Sequence, residues 1–442
     1  VAERRALRLA VLVRSMYPLH GLGGLERHTY DLVRHHLTQG LAVQLVTKPG
    51  TPSTARARDD WSALCATPGF SHAFVPYRTF PLAGRRGTTI LDRSTAYPIF
   101  GARAGRVVAG QVASGAIDVV YALGASGWGY ARARRRGARA PLVVNPQGLE
   151  EFGGFDGTYG GQPLKRIAYG PLRRVVCATA AAADAVVATD RSIEPTIVRH
   201  LGVEAARLRL VPNAIDIASC RALAGPADGA AQRRRAGIAA DEIVLLSVGR
   251  LERNKGFHHL AAALAAWRDR PGWRWVLVGA GPNARAIDTA IDAAGIAPRV
   301  TRAGRVGDDE LHAWYEAADL FVHPTVYEGS SLVTLEAMAH GRPVLATRAG
   351  GLPDKVHPGV TGWLVDPGDP AALVRGLDDA LRARDAWSAM GEAGRRLAES
   401  TFAWTVVAGT LRRLYEDLIA GSAPGSEPAM PGGWPSTGTG RG

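Results

Sequence analysis

Cysteine is scarce in this 442-residue chain: only Cys65, Cys177 and Cys220 occur. An odd number, with no pair at metal-ligand spacing, argues against a disulfide framework and against a zinc site, and points to a reducing, cytoplasmic setting. Lysine is almost as rare. Lys48, Lys165, Lys255 and Lys355 are the four, so arginine supplies nearly all of the 53 basic residues. Long apolar runs are missing as well. The best stretch, 175–188, is too short for a bilayer and contains Asp184. Residues 1–9 carry Arg4, Arg5 and Arg8 but neither the apolar core nor the cleavage site of a signal peptide.

What is present is enough for two cores. The length suggests two domains, and 46% of the residues are hydrophobic. The net charge of +13 is uneven. Residues 1–200 hold 26 Lys/Arg against 13 Asp/Glu, whereas 201–442 hold 27 against 27. The excess therefore belongs to the first half. It points to an anionic partner such as a membrane surface, a lipid phosphate or an acidic polymer, with a generally Arg-rich surface as the plain alternative. A membrane partner would make a cytoplasmic protein peripheral at the inner face. The arginine clusters lack interleaved aromatics and no nucleic-acid motif appears, so nucleic acid is not expected.

Short β-branched runs alternate with helical stretches, as in parallel α/β domains. Strands are expected at 9–13, 42–47, 119–122, 142–145 and 185–188, then at 243–248, 275–278, 300–303, 320–323 and 343–346. Pro212-Asn213 is a turn signal, and 222–240 is rich in Ala, Gly, Pro and Arg. This gives an N-terminal domain at 1–213, a second at 214–400, and an amphipathic helix at 401–420. The Gly/Pro/Ser-rich tail at 421–442 has no periodicity and is expected to be disordered.

Three segments carry chemistry. Tyr327-Glu328-Gly329-Ser330-Ser331-Leu332 follows the strand at 320–323 and opens a helix. Gly329 allows a tight turn and Ser330 is the expected N-cap. The free N–H groups of Ser331 and Leu332 would then face a diphosphate. Glu328 lies at the strand's C-terminal edge, where open α/β sheets bind ligands. Glu336, about two turns on, suits a ribose diol, with roughly 1.5–3 kcal/mol for each charged hydrogen bond. The second segment, Gly249-Arg250-Leu251-Glu252-Arg253-Asn254-Lys255-Gly256, follows the strand at 243–248. Its Arg250 and Lys255 would neutralise a diphosphate leaving group. The third is the loop His20-Gly21-Leu22-Gly23-Gly24, where adjacent glycines let backbone N–H groups approach a phosphate. Each segment alone also fits a plain reading, as exposed carboxylates, surface cations or an ordinary Gly-rich turn.

Together they resemble the retaining GT-B glycosyltransferases of family 4, the glycosyl transferases group 1. The motif Glu328-x7-Glu336 is the centre of the resemblance. Gly249-Arg250-Leu251 with Lys255-Gly256, Val278-Gly279-Ala280-Gly281-Pro282, Val211-Pro212-Asn213, Gly350-Gly351 and Thr361-Gly362-Trp363 match too. The resemblance implies two facing Rossmann-like domains with parallel sheets. The first would bind acceptor, the second would bind a UDP or GDP sugar, and a C-terminal helix would cross back to the first. It implies transfer of a hexose from a nucleotide-diphosphate sugar to a sugar, lipid-linked or small-molecule acceptor, with retention and without a metal or other cofactor. Arg250 and Lys255 would hold the diphosphate, Glu336 the ribose and Glu328 the donor sugar. Gly329, Ser330, Ser331 and Leu332 would meet the phosphate. The segment Gly304-Arg305-Val306 would lie by the base, and Gly23 and Gly24 would close on the diphosphate from the opposite domain, excluding water. His20, Gln147 and Glu150 are candidate contacts to the acceptor or donor sugar. Many relatives have His where this chain has Gln147, and an amide cannot shuttle a proton at neutral pH.

Other readings are weaker. Gly279-Ala280-Gly281-Pro282-Asn283-Ala284 fits the form of a dinucleotide fingerprint, but the next strand ends without an acid and Pro282 lacks a donor. A GT-B phosphorylase, a sugar-nucleotide epimerase or a non-catalytic nucleotide-sugar-binding protein would share the phosphate site. The pairs His35-His36 and His258-His259 point in different directions on a helix and do not suggest a metal.

Overall fold

The computed structural model describes residues 5–21, 23–78, 89–147, 149, 152 and 167–421. Glu150 and the tail beyond 421 lie outside them. The chain divides into two compact units. One takes Val1–Asn213 and the helix Trp404–Ala420, and the other takes Ala214–Ala403.

The first unit is built on β1 (Arg8–Leu12), β2 (Ala42–Thr47), β3 (Phe70–Phe74), β4 (Val119–Leu123), β5 (Leu142–Asn145), β6 (Ala185–Ala188) and β7 (Leu208–Leu210). All pair in parallel, in the order β3-β2-β1-β4-β5-β6-β7. The second unit holds β8 (Ile243–Val248), β9 (Trp273–Val278), β10 (Val300–Gly304), β11 (Leu320–His323), β12 (Val344–Thr347) and β13 (Gly362–Val365). Their order is β10-β9-β8-β11-β12-β13, again parallel. A parallel sheet covered on both faces demands continuous apolar strands, and β4, β5, β6, β8, β11 and β12 are buried along their whole length. The sequence expectation omitted β3, β7 and β13. All three are edge strands, and none reads as a buried apolar run.

Strand order fixes where ligands can enter. The order reverses between β1 and β4 in the first sheet and between β8 and β11 in the second. Loops leaving the C-terminal ends of such a pair turn to opposite faces and leave a crevice.

Inside the first unit the helix Gly24–Thr38 packs on Trp404–Ala420 through rings. His28 and His35 lie 5.0 and 5.7 Å from Trp404, and His36 lies 5.6 Å from Tyr415. The expected metal-free reading of the His35-His36 pair thus has a packing explanation. Neither ring nitrogen of His28 has a hydrogen-bond partner among the described residues, and His36 bonds only through Nδ1, to Leu32.

Burial lowers both His28 and His36 from 6.5 to about 4, because desolvation of a charged ring is uncompensated at His28 and outweighs the one hydrogen bond that His36 keeps to Leu32. Between those values the unfolded chain takes up protons that the fold refuses. Stability therefore rises with pH through this window and falls on acidification, by about 2 kcal/mol per histidine at pH 5. The melting temperature should drop steadily from pH 7.5 to 5, with a shallower slope in His28→Leu. Equal slopes in the two proteins would contradict this account.

Candidate active site

In the second unit the loops after β8, β11 and β12 are bound to one another by main chain. Thr325 Oγ1 and Val326 N both donate to the Asn254 carbonyl, at 2.9 and 2.7 Å. Gly256 has φ +67°, and a Cβ there would lie 1.9 Å from the Pro324 oxygen. Gly350 has φ +53°, and its Cβ would lie 1.7 Å from the Glu328 oxygen. Gly351 N donates to Gly329 O at 3.2 Å. Only glycine fits the two close approaches.

This clamp aims two side chains at one oxygen. Lys255 Nζ lies 2.6 Å and His323 Nε2 2.8 Å from Glu328 Oε2. Ser331 Oγ is 3.5 Å from the same ring nitrogen. His323 is fully buried and burial lowers its pKa, so the ring is neutral and carries its proton on Nε2 to donate to the carboxylate. Burial pushes Glu328 up, but the His323 hydrogen bond and the Lys255 charge outweigh it and hold the acid at about 2. Glu328 is therefore a permanent carboxylate, and Lys255 is its ion-pair partner.

The helix after β11 runs Leu332–Ala339. Its N-cap is Ser331, whose side chain accepts from Thr334 N, one residue later than the Ser330 expected from sequence. The shift leaves Ser330 to meet a lysine instead, and its hydroxyl accepts from Lys355 Nζ at 3.1 Å. Lys355 is completely buried and also donates to Gly351 O at 3.2 Å. The donor-rich helix start thus has a fixed cation beneath it. Glu336 is half-buried and accepts from the Tyr315 hydroxyl at 2.9 Å. Arg250 keeps 77% of its side chain exposed and rests on Glu252 at 2.8 Å. Gly304, with φ +69°, ends β10 and accepts from Gly279 N at 2.7 Å. Arg305 beside it is exposed, while Val306 packs on the core. This segment is tied to the loop after β9, two strands from the Lys255–Glu328 pair. The glycines of the apparent dinucleotide fingerprint have another purpose. A Cβ on Gly279 would lie 1.9 Å from Gly249 O, and one on Gly281 2.5 Å from Leu251 O. They let main chain pack on main chain.

The first unit has a cavity of about 250 Å³ at its own reversal point. Val13, Arg14 and Ser15 after β1 face Leu123, Gly124 and Ala125 at β4 across it. Gln147 also lines it, with φ +68°, and its N–H donates to Asn145 Oδ1 at 3.1 Å. Leu149 follows with φ +49°. Two non-glycine residues in left-handed backbone are costly and cluster at functional loops. Arg93 and Glu26 complete the charged lining. Gly23 precedes the helix Gly24–Thr38 as its N-cap, and Gly24 is the first helical residue. His20 does not line the cavity. Its ring nitrogens contact Met16 N and the Lys48 carbonyl, at 3.1 Å each, stapling two loops together.

Sequence reasoning missed His323, Tyr315, Lys355 and Arg14. Two carried a readable signal. His323 ends β11 and Arg14 follows β1, both at strand ends beside a reversal point. Tyr315 and Lys355 arrive from other elements and carried none. Among the described residues no group of three or more His, Cys, Asp and Glu could hold a metal ion, and no helix is long and apolar enough to cross a membrane.

Two family models match, Glycosyltransferase Family 4 over residues 22–219 and Glycosyl transferases group 1 over 228–397. D-inositol 3-phosphate glycosyltransferase of Streptomyces scabiei is 34% identical over 258 residues, 55% of this chain and 57% of that protein. The enzyme of the same name from Streptomyces avermitilis is 36% identical over 251 residues, 53% of this chain and 52% of that one. The match thus spans about half the length of these curated relatives. Among solved structures, sucrose-phosphate synthase from Thermosynechococcus elongatus superposes with a TM-score of 0.71 at 25% identity, over 94% of this chain and 100% of that one. Anabaena HepE in complex with UDP gives 0.69 at 19%, over 93% and 100%. The fold is GT-B, and the chain belongs to the family 4 glycosyltransferases.

The clamp makes a direct prediction. Gly350→Ala forces a Cβ onto the Glu328 carbonyl in left-handed backbone, and should destabilise the second unit by about 2–4 kcal/mol. Gly307→Ala, where nothing lies within 4 Å of the new Cβ, should be close to neutral. Urea denaturation of the two variants compares them directly, and similar midpoints would refute the clamp.

Proposed function

We propose that this chain is a retaining glycosyltransferase that moves a hexose from a nucleotide-diphosphate sugar to a hydroxyl of a small polar acceptor. The observation that carries the reading is the Lys255–Glu328–His323 cluster beside the start of the helix Leu332–Ala339. A helix start rich in free N–H groups, with Lys255, Lys355 and the exposed Arg250 near it, suits a diphosphate. Glu336 accepts hydrogen bonds from the ribose diol while Tyr315 holds its second position. Glu328, charged at any working pH, acts as acceptor for donor-sugar hydroxyls and not as an acid. Gly304-Arg305-Val306 lies by the base. HepE, a relative in fold, has been solved with UDP-glucose.

In the proposed reaction the bond from the anomeric carbon to the diphosphate oxygen breaks. The acceptor oxygen bonds to the same face of that carbon, and its proton passes to the departing diphosphate. Protein cations compensate the charge that builds on the leaving group. Gln147 cannot take a proton, so no step runs through it; it orients a hydroxyl instead. The cavity that Gln147 lines is the acceptor site of this proposal. Arg14 and Arg93 there suit an acceptor with an anionic group, in keeping with the phosphate in the name of the Streptomyces relatives.

A thermal-shift panel of UDP, GDP and ADP sugars tests the donor site. One of them, at about 100 times its Kd, should stabilise the protein by about 2.7 kcal/mol. Lys255→Ala and Glu336→Ala should each lose that gain. Wild-type affinity in both would sink the site, whereas nucleotide binding without glycoside formation would favour a binding protein, and a glycoside of inverted configuration would refute retention. Gln147→Ala should raise the acceptor KM several-fold and leave donor affinity unchanged; the reverse pattern would move the acceptor elsewhere.

A further inference from the structure

The first unit has a second concavity, on the opposite edge of its sheet. The helix Ala96–Ala113 descends toward the start of β4, and the helix Trp128–Arg134, with the turn 135–139, descends toward the start of β5. The two helices touch backbone to backbone. A Cβ on Gly105 would lie 2.0 Å from Tyr130 N, and one on Gly129 2.5 Å from Ala102 O. Small side chains such as Ala102, Ala109 and Ala133 continue along the contact and leave a groove of about 680 Å³.

Among the described residues, Arg106, Arg132, Arg136 and Arg139 line this groove and no carboxylate does. All four are exposed. Their neighbours serve the fold. Arg134 pairs with Asp184 at 2.6 Å and donates to the Ala138 carbonyl at 2.8 Å, and Arg135 donates to Ala178 O at 3.2 Å. Of the lining four, Arg132 stacks on Trp128, its guanidinium 5.5 Å from the ring centroid. Among the described residues none of the four enters an ion pair. Four arginines lining one groove, with no carboxylate among the described lining residues, make a locus of positive potential that an anion would neutralise.

We propose that this groove is a binding site, separate from the transferase site, for a ligand with two or more neighbouring phosphate groups. Guanidinium forks engage phosphate oxygens in pairs, and four of them match more charge than one phosphate carries. The groove lies at the N-terminal ends of β4 and β5, whereas the cavity with Gln147 lies at the C-terminal ends, so one site does not extend the other. The inference stands independently of the proposed reaction.

The probe is inorganic tripolyphosphate, titrated into the full chain at low salt by calorimetry. Binding to wild type should weaken at least tenfold in Arg106→Ser/Arg136→Ser and in Arg132→Ser/Arg139→Ser, and should fall as salt rises. Arg268→Ser, an exposed arginine of the other unit outside the proposed donor site, should bind as wild type does. Unchanged affinity in both double variants, or an equal loss in Arg268→Ser, overturns the proposal. Flotation with phosphatidylcholine vesicles, with and without phosphatidylglycerol, separates the sources of phosphate. Recruitment that tripolyphosphate reverses identifies lipid headgroups as the ligand. Tripolyphosphate binding without recruitment identifies a free phosphorylated molecule. Recruitment with no tripolyphosphate binding refutes a discrete site in favour of a general surface charge.

Discussion

One carboxylate oxygen organises the ligand edge of the second unit. Glu328 Oε2 is shared by an ammonium and a neutral imidazole, both nearly removed from water. Lys255 comes from the loop after β8, His323 is the last residue of β11, and Glu328 is on the loop that follows it. The arrangement couples the two strands at which the sheet order reverses. Removing Lys255 would leave the Glu328 charge buried without compensation, a much larger penalty than the loss of a surface ion pair. Hydrogen bonds from the Thr325 hydroxyl and from Val326 N to the Asn254 carbonyl set the loops at the distance this trio requires.

The two units use one device with different chemistry. Each has a parallel sheet with a single reversal, and each gathers its polar groups there. In the second unit those groups are a helix start, two lysines and two carboxylates. In the first they are Arg14, Arg93, Glu26 and Gln147 around a smaller cavity. Left-handed backbone at Gln147 and Leu149 bends that lining into place, whereas the second unit reaches its geometry with glycines.

Much of this was legible in the sequence. Interior strands read as apolar runs because both of their faces are covered, and the Glu328 and Lys255 segments announced themselves as polar loops after such runs. The edge strands β3, β7 and β13 did not. Phe70–Phe74 is largely exposed and Leu208–Leu210 has three residues, so neither carries the pattern of a buried strand. The N-cap was misplaced by one residue because Ser330 and Ser331 are equally good caps by type, and only the backbone decides between them. The ion pair of Lys255 with Glu328 spans 73 positions and the contact of Tyr315 with Glu336 spans 21. No local pattern encodes such pairings. His20, by contrast, stood beside a glycine loop and suggested substrate contact, but its ring is occupied by backbone groups.

The glycines at 256, 279, 281 and 350 also bear on how such a site can diverge. At each, a main-chain oxygen occupies the space a side chain would need. A lineage cannot vary these loops one residue at a time without dismantling the clamp. Freedom lies instead in outward-facing positions such as Arg250 and Arg305, which are exposed and touch no core. The site therefore separates a rigid, substitution-intolerant frame from a few residues open to drift.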